Sequence, residues 1–314
     1  MHRDRDSLYP NLVIAGAARC GTTSLYEYLA LHPAVCPAQP KETRFLFDRD
    51  HSLARQAANV SVHGMAGYRQ FFPEYRADRH RVVMDATPDY MYQHTPLQVL
   101  ERLEDVKVVF SLRRPSDRVY SMYNYARNRQ GALDRRVSFA EFVERLQGRE
   151  IPGSMTILAG TLDHSRYVTY LSSWYDRLGR DRIHTVLFED LVESPIAVVA
   201  GIARHVGIDP AFYDNHSLRA HNTSRAPRVA AGDTALRSVL PSLRRLPGYR
   251  TMARPVKRLY DRWQFSSKEV LDPSDRSVLR EIDDQFAADN RELAALTGLD
   301  LSGWAPHVAG SRSG

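Results

Sequence analysis

A chain of 314 residues with 43% hydrophobic and 25% charged side chains can bury one large core or two small ones. Its two cysteines, Cys20 and Cys36, exclude a disulfide framework and a C-x-x-C metal pair, and no apolar run approaches the ~20 residues that span a bilayer. The formal charge of +6 comes mostly from arginine, whose planar fork suits phosphate, sulfate and carboxylate, so an anionic ligand is favoured.

The opening residues MHRDRDSLYP lack the apolar core of a secretory signal, and the expectation is a soluble cytoplasmic protein. Leu12–Ala15 is an apolar run ending in small residues, and Ser24–Leu31 places Leu25, Tyr28 and Leu29 at helical spacing, which predicts strand, loop, helix. The loop between them, Gly16-Ala17-Ala18-Arg19-Cys20-Gly21-Thr22-Thr23, has the glycine spacing of a nucleotide phosphate loop, with Thr22 where the lysine would stand. Small residues let backbone N–H groups converge, Thr22, Thr23 and Ser24 add hydroxyls, and the following helix points its positive end at the loop. The fixed cation inside it is Arg19.

Residues 48–81 mix His, Arg and Gly around an aromatic knot, GYRQFFPEY, and read as an excursion over the end of a sheet. Tyr68, Phe71, Phe72 and Tyr75 within it would suit an aromatic or lipidic ligand. Val82–Met84 and Val106–Leu112 are β-branched runs suited to buried parallel strands. The second runs into Arg113, Arg114 and Pro115, and proline fits the first turn of a helix. Arg113 stands at a strand's carboxyl end, where open α/β sheets bind ligands, and Ser121 follows nearly two helical turns later, so both could close on one phosphate. Arg118, one turn earlier, reads as an ion-pair partner or a wall. Trp174 and Tyr175, with Leu171 and Leu178 at helical spacing, read as core. A strand at Ile183–Phe188, a helix at Ile196–Val206 and a long amphipathic helix at Asp275–Leu296 complete the series.

This β-α-β-α order predicts an α/β, three-layer, P-loop-like fold with a central parallel sheet flanked by helices. The expected organisation is one domain over residues 1–314. Its core, about 10–230, holds both anion-binding boxes, 216–262 form a basic lid, and 273–304 a C-terminal helix and tail.

Together AARCGTTSL and RRPSDRVYSMY resemble the two signature boxes of sulfotransferases that use 3′-phosphoadenosine 5′-phosphosulfate (PAPS). PKETRFLFD, residues 40–48, is similar to a P-K-E-x-x-F-F segment of the carbohydrate and bacterial branches, and MDATPDY, SRYVTYLSSWY, VLFEDL and HNTSRAPR fall in the family's order. The resemblance implies PAPS as co-substrate and PAP as product, with no metal required. It implies a donor site built from Ala18, Arg19, Cys20, Gly21, Thr22, Thr23, Ser24, Arg113, Ser121 and Tyr167, closed by Asn222, Arg225 and Arg228. Glu42 falls where the family carries its general base, with Lys41 beside it to hold acceptor or sulfonate. Arginine stands at position 19 where the first box usually carries lysine; a guanidinium is a good clamp and a poor proton donor, which implies charge stabilisation without proton transfer.

The implied reaction is sulfonate transfer to a hydroxyl, or less readily an amine, of a glycan or specialised metabolite. His164 could reach the acceptor pocket or be structural. A nucleotide-dependent kinase or triphosphatase remains the alternative, with Asp85 or Asp190 to help hold Mg²⁺. A nucleic-acid-binding module is a further one, although the aromatics do not interleave with the basic run as a stacking platform would. No nucleic acid or membrane partner is expected, and oligomeric state stays open.

Overall fold

Short β-branched strands with no polar face pack only where helices cover both sides of the sheet. The computed structural model describes residues 8–55, 57–127, 132–134, 136–151, 156–218, 225–226, 267–268 and 273–305. Its main sheet has five parallel strands, β1 (Leu12–Gly16), β2 (Val35–Pro37), β3 (Val82–Asp85), β4 (Lys107–Leu112) and β5 (Ile183–Leu187). Their order is β2-β3-β1-β4-β5. The chain therefore winds to one side of β1 and then to the other, which leaves a crevice at the carboxyl ends of β1 and β4.

Successive side chains of β1 point to opposite faces and both are buried. Val13 and Ala15 join one apolar cluster, Leu12 and Ile14 another. Helices α1 (Thr22–Leu29) and, later in the chain, α6 (Pro195–His205) cover the second face with Leu25, Leu29, Val199 and Ile202. On the first face lie α2 (His94–Glu101) and α5 (Tyr167–Leu178), which contribute Leu97, Leu100, Leu171 and Trp174. Trp174 is core, as its spacing predicts, and its Nε1–H donates to the Met91 carbonyl at 3.1 Å. Beside these layers, α3 (Pro115–Tyr125), α4 (Phe139–Gln147) and α7 (Pro273–Thr297) share a third cluster that includes Val119, Met122, Phe142, Ile282 and Phe286. Each such side chain is worth about 1.5–3 kcal/mol on burial, so these faces outweigh exposed ion pairs such as Arg76–Asp78.

The aromatic knot is a correction to the sequence reading. Tyr68, Phe71 and Phe72 are buried, and Tyr68 packs on Phe45 with ring centroids 4.7 Å apart. These rings fill the core under the excursion and do not line a ligand wall; Tyr75 is only partly buried against the same cluster. Of the expected lid, residues 216–218 and the backbone of 225–226 are described; there Arg225 pairs antiparallel with Lys268. Among the described residues no helix is long and apolar enough to cross a membrane.

Candidate functional site

The loop after β1 is tied to β4. Ala17 N–H donates to the Ser111 carbonyl at 2.8 Å, and Ser111 Oγ donates to the Cys20 carbonyl at 2.5 Å. Gly21, at φ 81°, is left-handed, and a Cβ on it would come within 2.8 Å of Phe188 and 2.9 Å of Leu191. Only glycine meets both conditions. Arg19 is also left-handed, at φ 73°, a conformation that costs a non-glycine residue about 1–3 kcal/mol and is held by its surroundings. Helix α1 has no side-chain cap, so the N–H groups of Thr22 and Thr23 in its first turn face the loop, where an anion or solvent can take them.

The second segment comes directly to this loop. Ser121, on α3, accepts from both Nε and NH2 of Arg19, at 3.2 and 3.1 Å, across 102 residues of sequence. One turn further on, the Tyr125 ring lies 4.6 Å from the Arg19 guanidinium, a cation–π contact. Arg113, at the end of β4, stacks on Phe188 at 4.6 Å, and its Nε–H is buried with no hydrogen-bond partner among the described residues. Tyr167 donates to the Arg113 carbonyl at 2.8 Å and touches Cys20 Sγ at 3.6 Å. Tyr167 and Cys20 are both buried, so their side chains support the loop from within the core. Burial also raises the Cys20 thiol pKa, against the pull of Arg118 and Tyr167.

Arg118 is neither an ion-pair partner nor a wall. It is 0% exposed and faces oxygens: Nε donates to Ala18 O at 3.1 Å, NH1 to Thr161 O at 3.0 Å and Ser165 Oγ at 2.8 Å, and NH2 to Tyr92 OH at 3.4 Å. A fixed positive charge thus backs the loop.

Glu42 lies in the segment after β2, about one-third exposed, with Oε1 3.5 Å from Lys41 Nζ and Oε2 3.3 Å from Arg44 NH2. Burial lowers the Lys41 pKa, and Glu42 opposes that shift. A buried carboxylate fixes this segment. Asp85 Oδ2 accepts from Thr43 at 2.6 Å, Tyr68 at 2.5 Å and Tyr90 at 3.1 Å, while Oδ1 accepts from Thr87 at 2.8 Å. Tyr90 OH in turn accepts from Leu46 N–H at 3.1 Å, and Thr87 Oγ1 accepts from Arg44 N–H at 3.4 Å. Burial raises the Asp85 pKa and the four hydroxyls pull against it. Asp85→Asn is expected to cost about 2–3 kcal/mol in urea unfolding, because one acceptor site becomes a donor inside a closed hydroxyl cage. A loss below about 0.5 kcal/mol would show that the cage does not hold the segment.

With both oxygens enclosed, Asp85 is not presented to the loop as a metal-holding aspartate would be. Asp190 is exposed on the short helix Phe188–Glu193. His164 stacks on Tyr92 with centroids 3.9 Å apart and planes within 10°, and burial with the nearby Arg118 charge lowers its pKa to about 3. It is a neutral packing residue.

The structure thus gathers Ala18, Arg19, Cys20, Gly21, Thr22, Thr23 and Ser24 with Arg113, Ser121 and Tyr167 at the β1/β4 crevice. Lys41 and Glu42 stand together on the neighbouring segment. Asn222 and Arg228 lie outside the described residues, as does the Arg225 side chain. Tyr92, which accepts from Arg118, and Tyr125, which stacks on Arg19, escaped sequence reasoning.

A comparison with protein families matches residues 9–225 to the sulfotransferase domain. The mouse protein named bifunctional heparan sulfate N-deacetylase/N-sulfotransferase 4 is 21% identical over 211 residues, 67% of this chain and 23% of that protein. The human protein of that name numbered 2 is 24% identical over 220 residues, with the same coverage of 67% and 23%. The chain spans about a quarter of the length of these curated relatives. The crystal structure of a sulfotransferase from Alicyclobacillus acidocaldarius superposes with a TM-score of 0.63 at 21% identity, covering 95% of this chain and 99% of that one, a likeness of fold.

Proposed function

Since this chain belongs to the sulfotransferase domain family, we propose that it moves a sulfonate group from PAPS to a hydroxyl, or less readily an amine, of a glycan or specialised metabolite. The observation that carries the reading is the contact between Arg19 and Ser121. It brings the cation of the first anion-binding loop within one side chain's length of the second, a separation suited to the two ends of one nucleotide. The uncapped first turn of α1, with Arg19, Thr22 and Thr23, would hold the 5′-phosphosulfate end. Ser121 and the Arg113 Nε–H, which has no partner among the described residues, would hold the 3′-phosphate.

The donor supplies a sulfonate on a phosphate leaving group, so the protein's task is alignment and charge stabilisation. Glu42 takes the acceptor's proton, and Lys41 and Arg44 hold its two oxygens in place. Arg19 neutralises negative charge at the loop and keeps its own proton, since a guanidinium stays charged at any working pH.

The test is nucleotide affinity by calorimetry. Arg113→Ala is expected to weaken binding of adenosine 3′,5′-bisphosphate about 10- to 100-fold, and Ser121→Ala about 3- to 10-fold. Binding of 5′-AMP should change little, so the preference for the bisphosphate falls. Equal losses for both nucleotides would place the 3′-phosphate elsewhere.

A further inference from the structure

The helical turn Pro88–Tyr92 carries a carboxylate that the mechanism above leaves unused. Its neighbours are engaged. Thr87 and Tyr90 bind Asp85, and Tyr92 accepts from Arg118. The Asp89 carboxylate, half-buried, accepts no hydrogen bond from the described residues. It lies among the charges of Glu42, Lys41 and Arg44 from the segment after β2, and Arg118 from α3. The bonds from Arg44 N–H to Thr87 and from Arg118 to Tyr92 fix the turn between those two elements. Burial, then the Glu42 charge, pushes Asp89 up to about 6, while Arg118, Arg44 and Lys41 pull it down.

An unpaired carboxylate in such a position is costly to the fold. Each cation around it is shared: Lys41 and Arg44 with Glu42, and Arg118 with four oxygens. We propose that Asp89 is an acceptor-binding residue, its carboxylate taking an O–H or N–H adjacent to the nucleophilic atom whose proton goes to Glu42. Two neighbouring carboxylates then select acceptors with two neighbouring donors, a vicinal diol or amino alcohol as in a sugar ring. An isolated phenol offers Asp89 nothing. The assignment rests on the sulfotransferase reading and names the acceptor class for that site.

The test follows PAP release from PAPS by the full chain with three acceptors: six-sugar fragments of N-deacetylated heparosan, chitosan pentamer and p-nitrophenol. Asp89→Ala is expected to raise KM for the better sugar about 10-fold or more, a clearly larger change than for p-nitrophenol, with PAP affinity unchanged. In the wild type, kcat/KM for that sugar should fall as pH drops through about 6, since the protonated carboxyl no longer accepts as a charged group. Asp89→Asn, which keeps an oxygen and loses the titration, should lack that limb. An unchanged sugar KM in Asp89→Ala, a limb kept in Asp89→Asn, or use of p-nitrophenol alone would overturn the assignment. No release by the wild type with any acceptor would instead overturn the sulfotransferase reading.

Discussion

Glu42→Gln is expected to slow sulfonate transfer by about two to four orders of magnitude while leaving PAP affinity unchanged, the usual share of a general base. Glutamine keeps the size of the side chain and an oxygen for Lys41 or Arg44, and it cannot take a proton. None of the contacts made by Glu42 reaches the loop or Arg113, so the donor's binding groups stay in place. Stability should move by no more than about 1 kcal/mol, because the ion pairs being weakened are partly exposed. Single-turnover PAP release separates the chemical step from binding. An unchanged rate would remove Glu42 from the reaction.

Arg118→Met should be the most damaging change to the fold around the site. It removes the donor from Ala18 O, Thr161 O, Ser165 Oγ and Tyr92 OH in a region closed to water. Each orphaned group costs about 1–3 kcal/mol, and partial relaxation brings the expected loss to about 3–5 kcal/mol in urea unfolding. PAP affinity should fall with it, since the Ala18 carbonyl loses its anchor. Lysine would not restore the site, because a single ammonium cannot reproduce the spread of a guanidinium fork over these acceptors. A loss below about 1 kcal/mol would mean that the loop is held by its links to Ser111 alone.

What the sequence made legible follows local chemistry. β1, β4 and β5 stand out as apolar, largely β-branched runs, and the loop as a glycine spacing before a helix. β2 did not, because Val-Cys-Pro is too short to carry a pattern and is defined by its pairing with Val82–Met84. Arg118 reads as an ion-pair partner or a wall; its burial depends on carbonyls 100 and 43 residues away. The cage around Asp85 draws hydroxyls from three separate segments, a convergence with no sequence spacing of its own. Tyr68, Phe71 and Phe72 are apolar enough for a ligand wall or a core, and only packing against Phe45 decides between them.

The most direct measurement is calorimetric titration of the wild-type chain with adenosine 3′,5′-bisphosphate in metal-free buffer and with ATP in the presence of Mg²⁺. The two-box site described here predicts binding of the bisphosphate at least about 10-fold tighter than ATP–Mg²⁺, since its two phosphate groups match the loop and the Arg113–Ser121 pair. Equal or tighter binding of ATP–Mg²⁺ would contradict it.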